Sequence, residues 1–294
     1  MKMCSFSRKG VSHPGLVIGR ESGPATRILD LKASEVVSVL GFAPECLEDI
    51  VASHMDAVRT LENMNWPDSA CVVRSSVRLL APFHVRSKVI GVARNFRSAI
   101  VEQNGEMPTA PFWFAKMPNT VIGFGDTIKI DADAGNVTYE AEVGIVLGKR
   151  AKNVSESDAA TYIAGFTLVN DLGATSIIQA DKGNFLRGKN LDGFFPMGPY
   201  FVSADEIPDP HNLRITMEID GEKRQDGNTS DMIFNMYALV SALSRTMTLE
   251  PGDVIASGTP AGAAAMHTPP AWLRPGQAMR VRVEGMGELE NSII

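Results

Sequence analysis

Cysteine and histidine are scarce in this chain. Cys4, Cys46 and Cys71 are its three cysteines, scattered over 294 residues without Cys-x-x-Cys spacing. An odd number so placed reads as reduced structural thiols in a cytoplasmic protein, not as a disulfide framework. The five histidines, His13, His54, His84, His211 and His267, have no two at metal-ligand spacing, which argues against a His/Cys zinc centre. No apolar run approaches the roughly 20 residues of a membrane span. The opening residues carry charge with no hydrophobic segment behind them, so a secretory signal is not expected. Basic residues are not in excess either. The count is 28 Lys and Arg against 34 Asp and Glu, a formal net charge of -6. With no basic stripe, neither nucleic acid nor a membrane surface is an expected partner.

What remains is an ordinary globular composition, 44% hydrophobic and 21% charged, enough for a large core. Pro82, after Val77–Ala81, marks a boundary between a small unit (1–82) and a larger one (83–294). In the small unit Arg27–Leu31 reads as a strand. Residues 46–61 read as a helix, with Leu47, Ile50, Val51, Val58 and Leu61 on one face. His54 lies beside that stripe and reads as a packing residue. Asn63–Ala70 reads as a loop broken by Pro67.

The larger unit alternates short strands with turns. Val89–Ala93, Phe112–Lys116, 138–148, 163–171, 214–220 and 253–258 read as strands. Asp220-Gly221 predicts a tight hairpin, since both residues tolerate positive φ. Residues 155–163 predict a short helix capped by Ser155. Residues 231–245 predict the clearest helix, burying Ile233, Phe234, Leu239, Val240 and Leu243. Gly252 and Gly276 follow prolines in turns. This is an α+β pattern, not an alternating βαβ one.

The most informative stretch runs from Val137 to Leu147. Alternate side chains of a strand share a face, so Tyr139, Ala141, Val143, Ile145 and Leu147 point one way and Glu140 and Glu142 the other. Two adjacent carboxylates repel, at high cost if that face is buried. One reading is an exposed edge with two solvated glutamates. The apolar tail of this strand and the apolar strand 163–171, which ends in Asn170-Asp171, favour a buried site of three carboxylates. A hard divalent cation is the simplest offset; all-oxygen ligands favour Mg2+, Mn2+ or Ca2+ over zinc. A metal-free carboxylate pair, as in a glycosidase, is the competing chemistry. Elsewhere, Arg187-Gly188-Lys189 offers two cations, which can equally be solvated surface charge. The loop Ala256–Gly262 can present backbone N–H groups and the Thr259 hydroxyl to an anion, or be only a tight turn.

These stretches, taken in order, resemble the fumarylacetoacetate hydrolase superfamily over residues 80–294. The resemblance rests on Ala93-Arg94-Asn95-Phe96, on Tyr139–Glu142 with its apolar tail, and on Gly148–Ala159. It continues through Val169-Asn170-Asp171, Arg187–Lys189, Gln225–Phe234, Leu249–Gly262 and Leu273–Gln277. It implies a mixed β-roll catalytic domain behind a small N-terminal α/β domain, and a homodimer. By position it makes Glu140, Glu142 and Asp171 ligands of Mg2+, with Mn2+ or Ca2+ as alternatives. Lys189 becomes the lysine that meets substrate charge. Thr259, beside Gly258, becomes a substrate or oxyanion contact, and Arg94 and Gln225 become pocket-wall residues. The implied substrate is a 2-oxo or 2,4-dioxo acid.

Two departures qualify the chemistry. Relatives often carry His-x-x-Glu on a lid as a water-activating dyad. Here the positions are Ala99 and Glu102, so the glutamate stands alone. After Asp171 relatives often read x-x-Ala-Arg-Asp, whereas this chain reads Leu-Gly-Ala-Thr-Ser to Ser176. His267, in a nearby loop, could substitute for the histidine or be an ordinary loop residue. Hydrolysis of a C–C bond next to the chelated carbonyl is the family's commonest activity and heads the expectation. Decarboxylation and tautomerisation stand beside it, since neither needs an activated water. A family member that binds a small acid without turning it over is the reading from another class.

Overall fold

The strand that carries Glu142 lies at the centre of the fold. The computed structural model describes residues 1–19, 23–84 and 88–294. In it, strand Ala141–Leu147 is buried at every position. Its odd-numbered residues, with Tyr139, belong to one hydrophobic cluster, and Val146 belongs to another. Both faces are therefore covered, as the continuous apolar run requires.

This strand lies within an eleven-stranded sheet. Antiparallel to it on one side is Ile163–Asn170, with Ala141 opposite Asn170. On the other side is Val254–Ala256. Beyond that come Val89–Ala93, in parallel, and the edge strand Phe112–Lys116. In the opposite direction the sheet passes through Phe201–Ser203 to Lys2–Arg8, where Met3 opposes Phe201. It then continues through the strands of the first 82 residues. A second, five-stranded sheet is built from Arg214–Ile219, Glu222–Asn228, Ala278–Val283, Gly287–Ile293 and Thr127–Ile128. The fold is α+β with mixed sheets and few helices. Among the described residues, no helix is long and apolar enough to cross a membrane.

Several local expectations hold. The Arg27–Leu31 strand forms over Arg27–Asp30. Asp220 and Gly221 have φ of 52° and 79°, the double positive φ of a two-residue hairpin. Others shift. The 46–61 helix breaks into Leu47–Ser53 and Met55–Arg59. Its five apolar residues are buried as expected, and His54, at the break, stacks on Phe42 with ring centroids 4.0 Å apart. The short helix at 155–163 is only a 3-10 turn, Ala159–Tyr162. Ser155 does not cap it: its hydroxyl accepts from Asp158 N–H at 3.2 Å in the bend ahead, and the 3-10 turn has no side-chain cap.

The clearest helix begins later than expected, at Met236, and ends at Thr246. Asn235 is the reason. Its side chain accepts from Ala238 N–H at 2.9 Å, capping a donor that the helix cannot satisfy itself. Ile233 and Phe234 fall outside the helix because their N–H groups donate to Asn95, at 2.7 and 2.9 Å. Asn235→Ala should therefore lower stability by about 1 kcal/mol, measured as a lower urea midpoint with unchanged slope.

Candidate metal centre and catalytic cavity

The three carboxylates named from the sequence converge where two central strands end. Glu142 lies in strand Ala141–Leu147, and Asp171 follows strand Ile163–Asn170. Glu140 precedes the first strand, and its N–H is taken by the Asn170 side chain at 3.0 Å. Asp171 N–H donates back to Glu140 carbonyl oxygen at 2.9 Å. This exchange ends the ladder and gathers the carboxylates. One oxygen from each of Glu140, Glu142 and Asp171 lies within 4.8 Å of the others, and no other such cluster occurs among the described residues.

Two lysines hold the cluster. Lys189, expected from the sequence, donates to Glu140 Oε2 at 2.8 Å and to Asp171 carbonyl oxygen at 2.9 Å, and lies 3.1 Å from Asp171 Oδ2. Gly173 leaves room for it: a Cβ there would sit 3.1 Å from the Lys189 Cε. Lys116, which sequence reading missed, is fully buried at the end of Phe112–Lys116. It donates to Asp171 Oδ1 at 2.8 Å, to Phe194 carbonyl oxygen at 3.1 Å and to the Lys189 carbonyl oxygen. Three acceptors match the three hydrogens of an ammonium. The one signal for Lys116 was a charge closing an apolar strand.

The electrostatics are uneven. Burial opposes the charge on both lysines. Lys189 faces the Asp171 and Glu140 carboxylates, which outweigh burial and hold it above the ordinary lysine range. Lys116 has Asp171 in contact but also feels Lys189, and burial pulls it down. Burial pushes the Glu142 carboxyl well above the usual carboxylate range, reinforced by Asp171 and Glu140. Glu142 Oε2 accepts from Gly258 N–H at 2.8 Å, while its buried Oε1 has no partner among the described residues. Three carboxylates against two ammoniums leave one negative charge uncompensated. An orphaned buried oxygen in an all-oxygen donor set fits a hard divalent cation.

Beside the cluster lies a cavity of about 260 Å³ lined by Glu140, Lys189, Thr259, Arg94 and Glu102, among others; Glu142 and Asp171 are buried behind it and do not line it. Gln225 and Gly258 do not line it. The Gln225 carboxamide accepts from Ala141 N–H and donates to Thr259 Oγ1 and Pro260 carbonyl oxygen, at 2.8–2.9 Å. The backbone N–H groups expected to face an anion point elsewhere: Gly258 N–H to Glu142 and Gly262 N–H to Glu102. Gly258 has φ +89°, and a Cβ there would sit 2.8 Å from the Asn95 Cβ. Asn95, quoted from the sequence only as part of a motif, binds Ser257 and Phe234 carbonyl oxygens at 2.8 and 3.0 Å. It joins the 93–96 turn to the Thr259 loop.

Ala99 lines the cavity where the lid histidine was sought. Glu102, which ends helix Arg97–Glu102, is exposed and accepts from Gly262 N–H at 2.9 Å. His267 binds Tyr139 OH at 3.1 Å and Gly262 carbonyl oxygen at 2.9 Å. It is not among the cavity-lining residues. Thr175, where relatives carry arginine, lines the cavity instead.

Replacing Glu142 by Gln removes the uncompensated charge and keeps the shape. Without metal, Glu142→Gln should melt higher than the parent. Its affinity for Mg2+ should fall at least about a hundredfold by calorimetry, and Mg2+ should no longer raise its melting temperature.

Comparison with known proteins identifies the family. Residues 88–294 match the family model of the fumarylacetoacetate hydrolase C-terminal domain. The chain is 35% identical to oxaloacetate tautomerase YisK of Bacillus subtilis, over 95% of each chain. It is 32% identical to the mitochondrial oxaloacetate tautomerase fahd2 of Xenopus laevis, over all of this chain and 90% of the relative. Its structure matches fumarylacetoacetate hydrolase from Exiguobacterium antarcticum with a TM-score of 0.82 at 30% identity, covering 100% of this chain and 99% of that one. A family model over most of the chain, full-length relatives and a shared fold lead to one conclusion: this chain is an enzyme of the fumarylacetoacetate hydrolase superfamily.

Proposed function

We propose that this enzyme is a divalent-metal-dependent tautomerase that interconverts the keto and enol forms of a 2-oxo dicarboxylic acid such as oxaloacetate. The observation that carries this reading is the cavity wall at Ala99 and Glu102. C–C hydrolysis, placed first from the sequence, needs an activated water. The alanine supplies no base, and one oxygen of the lone glutamate is held by Gly262 N–H. Tautomerisation needs less: one proton leaves C3, one is gained on the carbonyl oxygen, and the formula is unchanged. The names of the two tautomerase relatives favour the same choice.

The chain's own residues suit the task. Glu140, Glu142 and Asp171 would hold the ion, which supplies Lewis-acid stabilisation of negative charge on the oxo-acid oxygens. Lys189 adds a fixed positive charge where enolate charge develops. Glu102 is the cavity-lining carboxylate outside the triad, and this reading assigns it the C3 proton, a transfer that needs no second group to orient a water. Arg94 also lines the cavity and has no carboxylate partner among the described residues, leaving its charge for a second carboxylate. A homodimer remains part of the proposal, with sizing in solution as its check.

The decisive assay gives the protein oxaloacetate and Mg2+ and follows loss of enol absorbance, with deuterium entry at C3 read by NMR. Faster interconversion without release of cleaved acids is expected. Asp171→Ala should lower kcat/KM by about a thousandfold, the scale of several kcal/mol of charge stabilisation. Cleavage of acylpyruvates with no effect on oxaloacetate would overturn the reading, and an absence of turnover on every oxo-acid would favour a binding protein.

A further inference from the structure

A buried carboxamide sets the polarity of one hydroxyl in the cavity wall. Ala141 N–H can only donate, and the Gln225 amide oxygen accepts from it at 2.9 Å. A flipped amide would set NH2 against N–H, so the orientation is determined. Nε2 must then point the other way, donating to Thr259 Oγ1 at 2.8 Å and to Pro260 carbonyl oxygen at 2.9 Å.

Thr259 Oγ1 is therefore obliged to accept from Gln225. Its own hydrogen goes to Ala141 carbonyl oxygen at 2.9 Å. A hydroxyl has one hydrogen and two lone pairs. The hydrogen and one pair are engaged within the protein, and one lone pair remains. Since Thr259 lines the cavity, it offers a ligand an acceptor, not the donor expected of an oxyanion contact.

A carboxylate or keto oxygen at this point would meet lone pair against lone pair. An O–H would complete the network. We propose that Thr259 Oγ1 accepts a hydrogen bond from the enol hydroxyl of the substrate, making it the residue that distinguishes the enol from the keto form. The assignment rests on the tautomerase reading above. Lys189 and Arg94 are the cavity's cations and suit the oxyanions of the same molecule. Gln225 is a positioning residue, acting through the hydroxyl it orients.

Binding without turnover tests the assignment. Malate carries a hydroxyl at the carbon that bears the enol oxygen, and succinate is the same skeleton without it. Calorimetry with Mg2+ present gives the ratio of their affinities. The preference for one malate enantiomer should fall about tenfold in Thr259→Val, which keeps the shape and removes the acceptor. Thr259→Ser should retain it. Thr259→Ala repeats the measurement if valine does not pack. Taking the ratio to succinate cancels any general damage to the cavity. A ratio unchanged in Thr259→Val and Thr259→Ala overturns the proposal, as does a serine variant that loses the preference equally. Malate selectivity through Thr259 in a protein that leaves oxaloacetate untouched would overturn the tautomerase reading alone. An active tautomerase whose ratio ignores Thr259 would overturn this assignment alone.

Discussion

The repulsion among three clustered carboxylates, two of them buried, is the constraint around which the centre of this molecule is arranged. Glu142 and Asp171 are almost wholly removed from solvent, where like charges are least screened. The chain answers with Lys189 and Lys116, both anchored to Asp171, and with the Gly258 N–H dipole on Glu142. That leaves Glu142 Oε1 unmet. A buried charge without a partner is among the costliest features a fold can carry, and a divalent ion removes the cost while leaving a net positive site for an anionic substrate. The sheet supplies the necessary rigidity, since both strands that end at the cluster are buried along nearly their whole length.

The readable part of this site was its charge pattern. Two glutamates two residues apart on an apolar strand, and an aspartate closing another, are visible without coordinates because burial of charge is an exception that composition makes conspicuous. The expected alternation held for the core side, where Tyr139 through Leu147 cluster together. It did not describe Glu140, which stands before the strand and is placed by a side-chain bond from Asn170. A period of two carries no information about such an exchange. Lys116 was hidden for a related reason. One lysine after four apolar residues looks like the solvated end of an edge strand, and only the fold brings it under Asp171, 55 residues away in sequence. The helix at 236–246 shows the same limit, because its start depends on Asn95 drawing Ile233 and Phe234 aside.

Donor and acceptor direction was the least legible layer. From the sequence, a glycine-rich loop bearing a threonine suggests an anion cradle. In the fold the N–H groups of Gly258 and Gly262 each meet a carboxylate of the protein itself. The loop therefore uses these two amides to position acidic groups of the protein. Glu102 is drawn into this network, which ties the lid helix to the loop across the cavity and places Ala99 against the same space.

This arrangement separates the two halves of the chemistry. The carboxylate half is largely buried, anchored by two lysines and built on the central sheet. The lid half is a short helix of six residues, hydrogen-bonded to Asp231, Met232 and Gly262 and exposed at Glu102. Hydrolysis places its demands on the second half, because a water molecule must be oriented and deprotonated there. Enolisation places them on the first, because the principal barrier is charge building on oxygens beside the ion and Lys189. Three carboxylates and two buried lysines beside an alanine at the lid position are the combination on which the proposed tautomerase reading rests. Ala99 and Glu142 therefore bear on the proposed reaction together: one lines the cavity without a titratable group, the other leaves a buried carboxylate oxygen without a partner among the described residues behind it.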